Sequence, residues 1–283
     1  MRRNGSRIMT IFLIIGVLFL SISYVYAETA EEYNNRGIIN GKQGNFTQAI
    51  SDFTKAIEIN PNDAAAYSNR GIAYNKQGNH SQAISDYTKA IEINPVDALA
   101  YFNRGHTYDD QGNFSQAISD YTKAIEINPN DAQAYYNRGI DYKLKNNYNQ
   151  AISDYTKAIE INHSYAEAYN NRGIVYGRQG NLPHAISDYA KAIEINPNFV
   201  DAYNNRGNAY SKQGNLIQAT SDYNKAIEIN PKCAYAYEGL AYRYFEKKEY
   251  DKAWADVHKA EELGSKTDPK FLIDLKKASG REN

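Results

Sequence analysis

The sequence predicts an all-α solenoid of seven stacked helical hairpins, and three observations predict it. An Asn-Arg-Gly triplet returns every 34 residues, with its arginine at Arg36, Arg70, Arg104, Arg138, Arg172 and Arg206. Ala49, Ala83, Ala117, Ala151, Ala185, Ala219 and Ala253 keep the same step. Within each copy, two apolar stripes recur at spacings of three and four, the period of a helix face, with turn residues between them. A repeat of this length replaces any single-core picture. One hairpin cannot bury its own apolar faces and must stack on its copies.

The copy from Asp63 to Pro95 justifies each element. Pro61 stops the preceding helix, and Asp63 stands where an N-cap is wanted. Tyr67, Gly71 and Tyr74 share one face of a first helix, and Gly78 is expected just past its end in the left-handed conformation. Ala83, Ile84, Tyr87, Ala90 and Ile91 form the stripe of a second helix. Gly71, Ala83 and Ala90 matter for what they lack: small side chains let two helix axes approach, and the tyrosines fill the space beside them.

Tyr67, Gly71, Tyr74, Ala83, Tyr87, Ala90 and Pro95 give this pattern its resemblance to the tetratricopeptide repeat. It holds through seven repeats, 30–63, 64–97, 98–131, 132–165, 166–199, 200–233 and 234–267, within a domain of residues 28–267. Departures are few. Asn40 replaces a tyrosine in the first repeat, His163 replaces the proline in the fourth, and Leu240-Ala241 replace Arg-Gly in the seventh. The resemblance implies a right-handed superhelix whose concave groove holds peptides or other protein partners.

Residues 1–27 stand outside the repeat. Arg2, Arg3 and Arg7 precede an uncharged apolar run from Ile8 to Val25, and Val25 and Ala27 are the small residues of a signal-peptidase site. The expectation is a secretory signal peptide; the alternative is an N-terminal membrane anchor through residues 8–25, which is near the minimum span. Either takes the repeats out of the cytoplasm, to a periplasmic or secreted location. At the other end, residues 268–283 are expected to form a capping helix and tail. Asp268-Pro269 open it, Phe271, Leu272 and Leu275 form its stripe, and Gly280 closes it.

Composition excludes more than it suggests. Lys+Arg number 32 against 33 Asp+Glu, and losing the three arginines of residues 1–27 leaves 29 against 33, a net charge of −4. Nothing there attracts nucleic acid or an anionic membrane surface. Cys233 is the single cysteine, so no internal disulfide or thiolate metal site is available. The five histidines fall at unrelated positions of the repeat, with no pair at zinc-binding spacing. Ser85-Asp86 and its counterparts recur in six repeats, whereas a catalytic group is made once. No enzyme activity, metal or cofactor is expected. Within the repeats, four Asn-X-Ser/Thr sequons begin at Asn45, Asn79, Asn113 and Asn162; the first three open second helices, where capping is the expected role.

Two polar columns follow, counting slots from the first residue of each repeat. Slot seven is arginine and slot 23 aspartate: Arg36/Asp52, Arg70/Asp86, Arg104/Asp120, Arg138/Asp154, Arg172/Asp188 and Arg206/Asp222. A cation in a slot that the family fills with an aliphatic residue needs a carboxylate within reach, so ion pairs are expected. Asp256 keeps slot 23 of the seventh repeat although Leu240 has displaced its arginine, which leaves Arg243 as a possible partner.

Slot six is asparagine at Asn35, Asn69, Asn103, Asn137, Asn171 and Asn205. An amide both donates and accepts, so such a row can hold an extended backbone whatever its side chains, or bond the neighbouring repeat. Slots two, five, nine and twelve vary most, and the family's geometry makes that face the concave one. It offers Phe102 and Tyr136 as an aromatic centre, His106 and Ile140 beside it, and a second aromatic patch at Tyr235, Tyr242 and Phe245. The expected function is a non-catalytic scaffold binding an extended peptide or partner protein in the groove. The alternative is an anchored cell-envelope assembly factor that acts through its outer surface.

Overall fold

A computed structural model describes residues 28–281, so the leader expected at residues 1–27 lies outside the described residues. First and second helices alternate: α1 (Ala30–Lys42), α2 (Phe46–Ile59), α3 (Ala64–Lys76), α4 (His80–Ile93), α5 (Ala98–Asp110), α6 (Phe114–Ile127), α7 (Ala132–Leu144), α8 (Tyr148–Ile161), α9 (Ala166–Arg178), α10 (Leu182–Ile195), α11 (Val200–Lys212), α12 (Leu216–Ile229), α13 (Ala234–Glu246) and α14 (Tyr250–Glu262). A last helix, α15 (Pro269–Ser279), follows. The chain divides into two compact units, one ending at Gly112 and one beginning at Asn113, and each is described by itself. None of the described helices is long and apolar enough to cross a membrane.

The helix starts obey local chemistry. Thr29 and Glu32 form a capping box on α1. Asp63, Asp97 and Asp131 each accept a backbone N–H of the helix they open. The second helices differ from expectation. Asn45, Asn79 and Asn113 hold the N-cap position, but none makes a side-chain capping bond. Asn181, at the same slot of the fifth repeat, does accept the His184 N–H, at 3.4 Å. At Asn45 and Asn79 the backbone does the work instead: their N–H groups close the turn onto Asn40 O and Tyr74 O, both at 2.9 Å. Gly78 adopts the expected left-handed backbone at φ 78°, and Asn146 and Lys248 keep that turn without glycine at φ 57° and 62°.

Close approach within hairpins two and four rests on slot eight. A Cβ added at Gly71 would stand 2.8 Å from the Tyr87 ring, and one at Gly139 equally close to Tyr155. Both rings are buried, with Ala83, Ala90, Ala151 and Ala158 fully enclosed beside them. In the seventh hairpin slot eight is Ala241, and the glycine stands at slot six, where Gly239 lies against Tyr223 of the hairpin before it.

The arginine column ties hairpins together. Arg70, Arg138, Arg172 and Arg206 each place two nitrogens on the slot-23 aspartate of their own hairpin, at 2.7–2.9 Å. Arg36 does the same on a single oxygen of Asp52. A third nitrogen reaches back to the preceding hairpin: Arg70 to Thr54, Arg104 to Thr88, Arg138 to Thr122 and Arg172 to Thr156. Position 190 is alanine, and Arg206 accordingly bonds its aspartate without a threonine behind it.

Arg243 does not rescue Asp256. It pairs with Glu246 at 2.9 Å, and Asp256 keeps one buried oxygen with no partner. Burial raises its carboxyl from about 3.8 to about 6. A raised aspartate penalises the folded state above that value and not below the unfolded one. Asp256→Asn is therefore expected to stabilise the second unit by about 1–2 kcal/mol at pH 7.5, with the gain shrinking as pH falls from 6 towards 4. Urea denaturation at both ends of that window checks the sign.

The last helix caps the array as expected. Asp268 accepts the Lys270 N–H, Pro269 opens the helix, and Gly280 ends it in the left-handed region. Phe271 and Leu275 are buried against Ala241, Ala253, Trp254 and Val257, and Trp254 Nε1 donates to Ser279 Oγ at 3.1 Å. The architecture is thus the predicted all-α class: antiparallel helix pairs in sequence, closed by a C-terminal capping helix.

Candidate functional site

Within each unit, the first helices of successive hairpins touch one another, and second helices of successive hairpins do not pack to a comparable extent. The first helices therefore form the inner, closely spaced row. On it, slot six and slot five meet. The amide of one hairpin donates to the slot-five group of the hairpin before it: Asn69 to Asn34 Oδ1 at 3.1 Å, Asn171 to the Tyr136 hydroxyl at 2.9 Å, and Asn205 to Asn170 Oδ1 at 3.0 Å.

Two exceptions show the same rule. Ser68 is shorter than asparagine, and both its hydroxyl and Asn103 Nδ2 are buried without a partner. Gly239 has no side chain to give, and Asn204 Oδ1 is left unpartnered. Asn35 is exposed, and Asn137 is half-buried with no side-chain hydrogen bond. The amide row thus serves the seam between hairpins first. One N–H is spent there at Asn69 and Asn205, while their oxygens are left unengaged.

Slot five was expected to face the groove, and the structure corrects this. Ser68, Asn170 and Asn204 are buried, because slot five points at the next hairpin's amide. Phe102 is half-buried. Tyr136 is wedged between hairpins, 4.8 Å from the Tyr165 ring and 5.9 Å from Tyr155, and burial raises its phenol. Ile140 packs on the same cluster, and His106 is exposed beside Asp110 of its own helix. The second aromatic patch is also smaller than expected. Tyr242 stacks on Phe271 at 3.9 Å and Phe245 meets it edge-on at 5.4 Å, so the capping helix occupies both. Tyr235 alone of the three is exposed.

Open space lies elsewhere on the inner row. A cleft of about 380 Å³ opens between the first two hairpins, with Ile38, Phe46 and Ile72 on its walls and Asn69 on its rim. In the second unit a cleft of about 200 Å³ opens between hairpins five and six, beside Ile174, Leu182 and Asn205. Lys42 and Lys76 flank the first, and Arg178 and Lys212 the second. Sequence reading missed these four cations. The signal was slot thirteen, which is basic at 42, 76, 178 and 212.

Comparison with known proteins follows this geometry. Models described as tetratricopeptide repeat match residues 30–63, 64–97, 98–131, 200–233 and 120–153, and a TPR repeat model matches 140–180 and 178–214. Together they run from residue 30 to residue 233, and the seventh hairpin lies beyond them. No curated protein matches the sequence. Among solved structures, MamA is 32% identical over 58% of this chain and 96% of its own, with a TM-score of 0.56. YrrB, described as a TPR protein with an unusual peptide-binding site, is 29% identical over 65% of this chain and 95% of its own, with a TM-score of 0.58. The C-terminal part of a TPR repeat-containing protein from Cytophaga hutchinsonii reaches a TM-score of 0.70 at 23% identity, over 85% and 98%, a likeness of fold alone. With the repeat matched through most of its length and its hairpins in place, the chain belongs to the tetratricopeptide repeat family.

Proposed function

We propose that the protein is an exported, non-catalytic scaffold that holds an extended segment of a partner protein along the inner row of first helices within a unit. The observation that carries this reading is the placement of Asn69 and Asn205, each on the rim of an open cleft with its oxygen unengaged. Those oxygens, with Asn137, offer hydrogen bonds to a peptide backbone regardless of its side chains. The peptide-binding site attributed to YrrB supports the reading by kinship.

The test uses peptides selected on the full mature chain from a random 12-residue display library. Asn69→Ala, Asn137→Ala and Asn205→Ala combined are expected to weaken binding tenfold or more, since each lost bond is worth about 0.5–1.5 kcal/mol. Melting should fall only modestly, by the two seam bonds. Undiminished affinity in a folded triple variant would end the reading. Export rests on Arg2, Arg3, Arg7 and the apolar run that follows. Intact mass should show a chain beginning at Glu28; residues 1–27 retained on a carbonate-resistant protein would replace the signal peptide with an anchor.

A further inference from the structure

The two clefts are one feature, built twice. Ile38, Gly41 and Lys42 frame the first, and Ile174, Gly177 and Arg178 stand at the same three slots of the second, four repeats on. Asn69 and Lys76 face Asn205 and Lys212 in the same way. What the two places share, and no other repeat has, is glycine at slot twelve; that slot is otherwise Asn75, Asp109, Lys143, Ser211 and Phe245.

Neither glycine is required by packing. A Cβ at Gly41 would meet nothing nearer than 4.0 Å, and one at Gly177 nothing nearer than 3.7 Å. Slot-eight glycines such as Gly71 are the opposite case, with a ring 2.8 Å away. Nor does helix termination need them, because Gly44 and Gly180 already supply the left-handed residue past each helix end. Glycine inside a helix is the poorer choice by up to about 1 kcal/mol against alanine.

In repeats two and four the slot-twelve side chain bridges the gap. Asn75 donates to Asp110 at 3.4 Å and bonds His80 Nδ1 at 2.7 Å. Lys143 reaches Asn171 Oδ1 at 2.7 Å, and burial and then Arg178 lower its ammonium below the ordinary value. Gly41 and Gly177 leave the gap open, at volumes well above the roughly 30 Å³ of a water molecule.

The rims carry charge without a partner. Lys42, Lys76, Arg178 and Lys212 make no ion pair among the described residues, and no carboxylate lines either cleft. Helix ends favour a cation at each of these positions. They do not account for an open apolar floor between two of them.

We propose that hairpins one and two, and again hairpins five and six, form a socket for an apolar side chain of a bound acidic segment, whose neighbouring Asp or Glu is held by the paired slot-thirteen cations. The inference rests on the inner-row reading above and adds its side-chain preference. Hairpins two and three, and four and five, are closed to it by Asn75 and Lys143.

The probes are fluorescein-labelled 11-residue peptides of glycine and serine around a central Glu-Leu-Asp, Gln-Leu-Asn or Glu-Ala-Asp. The socket-filled variant is Gly41→Asn with Gly177→Lys, residues that slot twelve already holds in repeats two and four, and its melting temperature is measured alongside. A second variant, Lys42→Gln, Lys76→Gln, Arg178→Gln and Lys212→Gln, leaves the sockets open. Wild type is expected to bind the Glu-Leu-Asp peptide at least tenfold more tightly than either control, by anisotropy. Filling the sockets should abolish the preference for leucine over alanine, and the glutamine variant the preference for acid over amide. Equal binding of all three peptides, or a preference unchanged in the filled variant, would overturn the proposal. If no designed peptide binds while library-selected peptides do, and these depend on the asparagines, the sockets fall and the inner-row reading stands.

Discussion

Arg138→Met is expected to cost the second unit about 3 kcal/mol, because it strands a buried carboxylate. Arg138 gives Nε and Nη2 to Asp154, both at 2.8 Å, and Nη1 to Thr122 at 2.9 Å. The Asp154 side chain is only 6% exposed, so water cannot replace what the guanidinium supplied. Thr122 suffers less, since its hydroxyl still donates to Ile118 O at 2.7 Å. The cost is thus mainly desolvation of Asp154, and removing that charge as well should return most of the stability. Arg138→Met with Asp154→Leu is expected to lie much closer to wild type than Arg138→Met alone. Urea midpoints of the two variants decide it. A double variant that loses the sum of two independent penalties would mean that the pair is not what holds the hairpins. Arg206→Met is a useful companion, because Arg206 has no threonine behind it and reports the aspartate pair without that bond.

The fold was legible because every repeat states the same local choices, and agreement across levels is what makes a sequence specify one structure. Asp63, Gly71, Gly78 and Tyr87 each read correctly in isolation, and the 34-residue step multiplied that reading seven times. The arginine column was legible for a different reason: a half-buried cation has few ways to be satisfied, and Asp86 or Asp154 is the one the repeat supplies. What sequence could not show was rotation about the helix axis. Slots five and nine lie close on a helical wheel, yet slot five is turned into the seam, where Asn170 is 6% exposed, while Ile72 at slot nine remains open at 36%. That difference is set by how one hairpin leans on the next. Slot twelve was noticed as variable, but the meaning of Gly41 and Gly177 depends on what surrounds an absent Cβ, which a sequence does not contain.

The cap on the seventh hairpin was legible but the aromatics it covers were not, and Phe271→Ala is expected to show how much that contact matters. Tyr242 and Phe245 read as a free aromatic patch, and Phe271 as part of the stripe of the capping helix; only the structure puts them against each other, at 3.9 and 5.4 Å. Truncating a buried phenylalanine typically costs about 3–5 kcal/mol. α15 has only 11 residues, too few to hold a helix without packing. The expected result is therefore local: α15 detaches before the hairpins melt. Amides from residue 270 to 279 should lose exchange protection, while those of α8 and α10 keep theirs. Trp254, the single tryptophan, is 4% exposed and bonded to Ser279 of that helix, so its emission should shift to the red. Unchanged protection and emission would mean that Leu275 and the Trp254–Ser279 bond hold the cap without Phe271. Detachment bares Tyr242 and Phe245 but leaves Asn205, Gly177 and Lys212 untouched. Peptide binding at the cleft of hairpins five and six should then survive the loss of the cap, which separates the site from the end of the solenoid.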